Sequence, residues 1–244
     1  MSLAFRWRNK WRRRFYKPFN RLVHRGHYFV CSYFGADFLV HSENVGGLEI
    51  SAQIGEYREL TNFVRVCSEL KPDVFIDIGA NLGLYTCVMM KNRLVPRAIL
   101  FEPDRRNRVH LRANLLINDL LDANIAINEV ALGAAAGKFR LVPGPERDIG
   151  LSQIVEDAGN EGYEVEIVRL DDIVTLTGQT LAIKIDIERY ERKALAGMAR
   201  TLRDNRGMVQ IEVFEAREET IALMAAAGYA LAEEFPPNLV FRKS

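Results

Sequence analysis

The sequence predicts an α/β fold: a seven-stranded, mostly parallel sheet with helices on both faces and an antiparallel hairpin at one edge. Three observations carry this expectation. From residue 56 onward, segments with apolar residues at helical spacing alternate with short apolar runs, which is the pattern of a parallel sheet built from strand and helix units. Prolines punctuate the pattern, Pro72 stopping the first helix and Pro103 standing in the first turn of a later one, where a missing N–H costs little. Beyond the last helix two strand-like runs, "GYALAEEF" and "NLVFRK", follow one another directly, as a closing hairpin requires.

In order, "EYRELTNFVRVCSEL" (56–70) places Tyr57, Leu60, Phe63, Val64, Cys67 and Leu70 at helical spacing. "VFIDIG" (74–79) reads as a strand, "LGLYTCVMMKN" (82–92) as a helix and "RAILFE" (97–102) as a second strand. A helix runs from Pro103 to about Asn118, and "ANIAINEVAL" (123–132) is a third strand. Residues 137–170 differ in texture. Gly137, Pro143, Gly144, Pro145, Gly150, Gly159 and Gly162 surround the alternating segments "KFRLV" and "VEIVRL", which predicts an antiparallel, hairpin-like insertion with a loop at about 143–162. The strand "LAIKIDIE" (181–188), a helix over 190–204, the strand "GMVQIEVF" (207–214) and a helix at 216–227 complete the unit. The organisation is a basic extension (1–30), a short segment or hairpin (31–55) and one domain (56–244).

Composition narrows the function. A chain of 244 residues, 48% hydrophobic and 27% charged, is long enough for one sizeable core of ordinary globular make-up. No apolar run approaches the roughly 18 residues of a membrane span, and the basic start is not followed by the apolar stretch of a signal peptide. Cys31, Cys67 and Cys87 show no paired spacing, so neither a disulfide framework nor a zinc site is expected and a reducing, cytoplasmic setting fits. The histidines, at 24, 27, 41 and 110, are scattered, unlike metal ligands.

"DIGANLG" joins the first strand to its helix. Gly79 and Gly83 stand where a nucleoside would need close backbone approach. The spacing is neither the dinucleotide fingerprint, which needs a third glycine, nor a Walker loop, which needs a following GK[ST]. Glu102 ends the next strand, about twenty residues on, where an acid accepts both hydroxyls of a ribose. Asp77, Gly79 and Glu102 therefore meet at the carboxyl ends of adjacent strands, and a nucleoside cofactor without a pyrophosphate cradle fits best.

In this order, "FIDIGANLGLYT", "FEPDRRNRVHLRANLLIN", "NEVALGAAAGKFRL", "VRLDDI", "IKIDIERYERKALAGM" and "MVQIEV" resemble the FkbM-type S-adenosylmethionine-dependent methyltransferases. The resemblance covers roughly residues 56–214. It implies a class I methyltransferase (Rossmann-like) fold and O-methylation of a sugar or other secondary-metabolite hydroxyl. It further implies that Asp77, Gly79, Ala80, Asn81 and Gly83 surround the methionine moiety, that Glu102 binds the ribose, and that Pro103 and Asp104 lie along the adenine. Asn128, Glu129 and Ala131 are candidates near the adenine edge. Two alternatives stay open: an NAD-dependent oxidoreductase, which would use the same ribose-binding acid, and a scaffold that kept the fold and lost turnover.

"IKIDIE" (183–188) alternates isoleucine with Lys184, Asp186 and Glu188. Alternation of this kind usually marks a half-exposed edge strand. In the implied fold the strand is central, so its charges must be paired or open into a cleft. Lys184 is expected to pair with a carboxylate. Methyl transfer to an alcohol needs an oriented hydroxyl and a group to take its proton, and Asp186 is the candidate, with Glu188 and Glu191 as alternates. A divalent metal on these carboxylates is a further alternative, although no complete set of oxygen ligands can be read. The family pattern K-I-D-x-E-G-x-E is broken here by Arg189 and Tyr190. Either they shape a pocket for an anionic or ring-bearing acceptor, together with Ser152 in the insertion, or they begin the next helix with Arg189 paired to an acid.

Nine of the 33 basic residues and none of the 32 acidic ones fall in the first thirty positions. Leu3, Trp7, Trp11, Phe15, Phe19 and Leu22 recur every three or four residues among them, although Pro18 should kink or divide a helix there. Such a segment suits an anionic membrane surface, giving peripheral contact through residues 3–25 at the inner face, where lipid-linked glycans are made. The alternatives are a lid packed on the domain or a presequence; nucleic acid is not expected, because no recognition motif accompanies the charge.

Overall fold

A computed structural model describes residues 10–145, 152–155 and 161–244. A π-helical turn (Arg12–Tyr16) leads into α1 (Lys17–Val23). Pro18 lacks an N–H and its ring crowds the carbonyl one turn back. The wider turn ahead of it, closed by Lys17 N–H on the Arg12 carbonyl, absorbs that conflict, so the expected division is a local widening. The hairpin of β1 (Tyr28–Tyr33) and β2 (Ala36–His41) follows, then α2 (Val45–Ser51), whose Asn44 cap accepts from Gly47 N–H.

Through α3 (Tyr57–Leu70) the chain reaches β3 (Val74–Ile78), α4 (Leu84–Lys91), β4 (Ala98–Phe101), α5 (Arg105–Ile117) and β5 (Ile125–Asn128). Four short strands come next: β6 (Ala131–Leu132), β7 (Gly137–Val142), β8 (Gln153–Val155) and β9 (Tyr163–Val168). After α6 (Leu170–Ile173) stand β10 (Thr180–Ile185), α7 (Glu191–Gly197), α8 (Ala199–Asp204), β11 (Arg206–Glu212), α9 (Arg217–Ala226), β12 (Ala230–Phe235) and β13 (Asn238–Lys243).

The main sheet has seven strands in the order β12-β13-β11-β10-β3-β4-β5. The five strands from β11 to β5 are parallel, and β12 and β13 close one edge as an antiparallel hairpin. This is the predicted class I arrangement. The insertion is a second sheet, β6-β9-β7-β8, with β7 antiparallel to β9 as its alternation requires. Of its predicted loop, residues 146–151 and 156–160 lie outside the described residues.

Two apolar layers enclose the main sheet. Leu60, Phe63, Val88, Met89, Leu111 and Leu115 from α3, α4 and α5 pack on one face, joined by Tyr33, Phe38 and Val40 of the first hairpin. Ala194, Leu195, Met198, Leu202 and Met224 cover the other. The hairpin thus shares the main core rather than forming a unit of its own.

Four expected boundaries are corrected. The helix expected from Pro103 starts at Arg105, because Asp104 caps it by accepting from Arg106 N–H at 2.8 Å. The strand expected at 123–132 is broken at Glu129 and Val130, since β5 pairs with β4 while β6 crosses to β9. The helix expected at 190–204 is interrupted at Met198 (φ −124°, ψ 20°). Gly197 there packs against Gly133 so closely that an added Cβ would lie 2.0 Å from its carbonyl oxygen. Finally, β10 ends at Ile185, three residues short of the expected 188. Asp186 N–H still bonds to Ile78 O at 3.0 Å, but Glu188 and Arg189 turn the chain with φ of +50° and +74°.

Candidate active site

A cleft of about 250 Å³ opens at the carboxyl ends of β3, β4, β10 and β11, roofed by Leu141, Ser152 and Ile154 of the insertion. A second lobe of about 130 Å³ shares Glu56, Gly79, Asn81 and Asp186 with it. The parallel strands bring these residues together because every β-to-α turn of the sheet falls on this side.

One half of the cleft is built around Glu102. Its side chain is 4% exposed, and its two oxygens accept from Asn81 N–H at 2.7 Å and Asp104 N–H at 2.8 Å. Burial pushes its pKa up to about 7, against the pull of those backbone bonds. The Oδ1 atoms of Asn81 and Asn107 are buried and accept no hydrogen bond, and both residues line the cleft beside Glu102. Buried acceptors left in this state call for donors. Ile78, Phe101, Pro103, Val130, Ala131 and Leu132 supply an apolar wall. The half-site therefore suits a ligand with hydroxyl donors on a flat apolar body.

The other residues expected around the cofactor fall differently. At Gly79 (φ +81°) an added Cβ would lie 1.9 Å from Asp186 O, so its bareness serves the approach of β3 to the chain after β10. Gly83 does not line the cleft; its missing Cβ makes room for Leu111 of α5. Ala80 lines the smaller lobe. Asp77 is buried beneath that lobe and accepts from Thr86 Oγ1 at 2.6 Å, with burial raising its pKa to about 6. Asp104 is fully buried and tied up by Arg106, Ser152 (2.6 Å) and Tyr163 (3.0 Å), so it fastens the insertion to α5 instead of facing the cleft. Asn128 donates to Leu100 O within the sheet, and Glu129 forms ion pairs with Arg108 and Arg112 outside the cleft.

The other half is acidic, and it resolves the alternating strand. All of β10 is buried, which rules out the edge reading. Lys184 stands between Asp77 of β3 and Gln210 of β11 in the parallel register. Its ammonium lies 2.8 Å from Asp186 Oδ2 and 5.1 Å from the centre of the Tyr85 ring. Burial works against the cation, but Asp186, Glu56 and Glu212 together hold its pKa above the ordinary value. Burial also opposes ionisation of Asp186; the Lys184 charge and hydrogen bonds from Glu212 and Lys184 outweigh it and hold that carboxyl low. Glu212 keeps its proton instead, its pKa raised to about 9 by burial and by the bond to Asp186.

Glu56, at the left-handed start of α3 (φ +46°), reaches the same point. The residue keeps an exposed surface, but desolvation of its carboxyl in the cleft raises its pKa, while the Lys184 charge and the Tyr85 hydroxyl pull the other way. Gln210 in turn donates to the Tyr85 oxygen at 2.9 Å. Oxygens of Asp186, Glu188 and Glu212 lie within 4.8 Å of one another, a set that could take a divalent ion. Lys184 already supplies positive charge there.

Glu191 was expected near this centre, but its carboxylate accepts from Arg189 N–H at 2.9 Å and lines neither lobe. Tyr190 is buried against Ala131 and Ile167 and lines the cleft. Arg189 reaches outward to Glu215 at 3.0 Å, both side chains being 62% exposed. Its φ of +74° costs an L-residue about 1–2 kcal/mol, more than the roughly 0.5 kcal/mol of an exposed ion pair. Arg189→Gly is therefore expected to leave the fold as stable as the parent or to stabilise it by up to about 1 kcal/mol, after the glycine's own entropic cost of about 0.5–1 kcal/mol. Chemical denaturation checks this; a loss of stability would show that the pair outweighs the backbone.

The Methyltransferase FkbM domain matches residues 77–231. The chain is 26% identical over 219 residues to the 31-O-demethyl-FK506 methyltransferase FkbM of Streptomyces tacrolimicus, covering 74% of this chain and 83% of that protein. Among solved structures, methyltransferase FkbM from Methylobacillus flagellatus KT aligns with a TM-score of 0.51 at 17% identity, over 81% of this chain and 54% of that one. The chain thus spans about half the length of the Methylobacillus protein. A SAM-dependent methyltransferase from Agrobacterium tumefaciens gives a TM-score of 0.51 at 7% identity, over 89% and 70%. At such identities both structures bear on the fold alone.

Proposed function

The chain belongs to the FkbM methyltransferase family, and on that premise we propose that it is an S-adenosylmethionine-dependent O-methyltransferase acting on a hydroxyl of a sugar, glycan or glycolipid. The observation that carries this is the pairing of two half-sites in one cleft: Glu102 with the unpartnered Asn81 and Asn107 oxygens, and the ionised Asp186.

The first half-site fits the cofactor's nucleoside. Ribose hydroxyls are donors, which the Asn81 and Asn107 oxygens lack and which a carboxylate such as Glu102 can accept beside its two backbone bonds, and Phe101, Pro103 and Ala131 offer an apolar wall for a base. When bound, S-adenosylmethionine supplies a methyl group on a sulfonium centre. Asp186 accepts the hydrogen bond of an acceptor hydroxyl and so fixes its oxygen. Because its carboxyl is held low, Asp186 receives the proton only as C–O bond formation makes that hydroxyl strongly acidic. Lys184 and Glu212 keep Asp186 ionised and oriented, and Tyr190 and Ser152 wall the acceptor side.

The choice of a hydroxyl follows the Streptomyces relative, whose name places its methyl acceptor at an oxygen. The family leaves the nicotinamide alternative without support, and the intact acidic centre weighs against a fold that has lost turnover. The test is incubation with methyl-labelled S-adenosylmethionine and matched acceptors, a sugar and its amino-sugar analogue. Label retained as a base-stable methyl ether on both is expected; label on the amine alone would contradict the reading.

A further inference from the structure

We propose that the helical segment over residues 10–25 is a peripheral docking surface for an anionic membrane. Its amphipathic arrangement is inverted relative to a helix that belongs to a core. The polar face is turned inward: Arg12 donates to Gln53 Oε1 at 2.8 Å, Lys17 pairs with Glu49 at 3.2 Å, and the buried Asn20 donates to Ser51 Oγ at 3.0 Å. The apolar stripe is turned outward, with Trp11 47%, Phe15 53%, Phe19 58% and Leu22 70% exposed. Leu3 and Trp7, the stripe's expected continuation, lie outside the described residues. Among the described residues, then, the stripe does not close over the domain as a lid.

Charge selects the occupant. Lys10, Arg14, Arg21 and Arg25 are exposed around the stripe, and no acid occurs in the first thirty residues. Aromatic side chains reaching into the headgroup boundary, ringed by cations, fit an anionic bilayer. A nucleic acid would satisfy the cations and could stack on the rings, but it offers nothing to the exposed aliphatic Leu22 and Val23. The segment rests on α2, whose Glu49 and Ile50 line the smaller lobe of the cleft. Docking would thus set the smaller lobe, which Asp186 shares with the main cleft, towards the bilayer; that this bears on methyl transfer rests on the methyl-transfer reading, whereas vesicle binding does not.

The test is co-sedimentation of the full chain with phosphatidylcholine vesicles, with and without phosphatidylglycerol. We expect binding to the anionic vesicles, weakened by salt, and about a tenfold loss in Phe15→Ser/Phe19→Ser, since two partly inserted rings together contribute of the order of 1.4 kcal/mol. Both rings are exposed, so the melting temperature of the variant should match that of the parent. Absence of binding, equal binding to neutral vesicles, or undiminished binding by the double variant would overturn the proposal. So would binding to a single-stranded oligonucleotide that matches the vesicle affinity and survives the double substitution, since it would mark a polyanion site.

Discussion

Asp186→Asn is expected to lower kcat by about 10²–10³ while leaving the affinity for S-adenosylhomocysteine within about threefold, because a positioned group that takes a proton contributes on that scale. The substitution keeps an oxygen for Lys184, which lies 2.8 Å from Asp186 Oδ2, but removes the charge that receives the acceptor's proton. The fold should survive. Glu212, whose pKa is raised by burial and by the bond to the Asp186 carboxylate, loses the second of these causes in the variant, so it ionises more readily and helps to balance Lys184. Steady-state kinetics with calorimetry checks the separation. A fall in affinity matching the fall in kcat would mean that Asp186 serves the cofactor rather than the acceptor.

Lys184→Met should cause the largest loss of stability, about 3 kcal/mol at neutral pH, because it strands the Asp186 carboxylate, whose paired cation at 2.8 Å is buried beside it. The lower end of the usual range applies, since Asp186 keeps 28% of its side-chain surface in contact with solvent. For a chain of this size the melting temperature should fall by about 6–12 °C. The sign of the pH dependence follows from the two shifts. Asp186 is held below 3.8, so its contribution is present above that value and lost as pH falls through the lowered pKa. Lys184 is held above 10.5, so its contribution is present below that value and lost as pH rises past it. The deficit of the variant should therefore be full between those limits and narrow on acidification. A deficit that does not change with pH would point to lost packing of the lysine stem instead.

Much of the fold was legible because each strand and helix of the main sheet carries its own period and stop signals. Glu102 was legible for the same reason, as the acid ending the strand after a glycine turn. Glu212 could have been found. With "LAIKI" and "MVQIE" as parallel neighbours and Lys184 facing Gln210, Asp186 falls opposite Glu212 two residues further along. Glu56 had no such signal, since its place depends on how α2 and α3 fold over the strand ends. The glycines were legible only in part: the space that Gly83 leaves is taken up by Leu111, and sequence spacing does not distinguish a close side chain from a close cofactor. The N-terminal stripe was legible as a period, but its direction was not, because the inward bonds of Arg12, Lys17 and Asn20 involve partners more than thirty residues away.

The measurement that bears most directly on the cleft is calorimetric titration of the folded protein with S-adenosylhomocysteine, using NADH as comparator and Glu102→Ala as control. Single-site binding of S-adenosylhomocysteine is expected, with no heat from NADH. The variant should bind about 10–100-fold more weakly, the loss of one or two hydrogen bonds to a charged acceptor. Binding of NADH in its place, no binding of S-adenosylhomocysteine, or an affinity indifferent to Glu102 would contradict the assignment of this cleft to an S-adenosyl nucleoside.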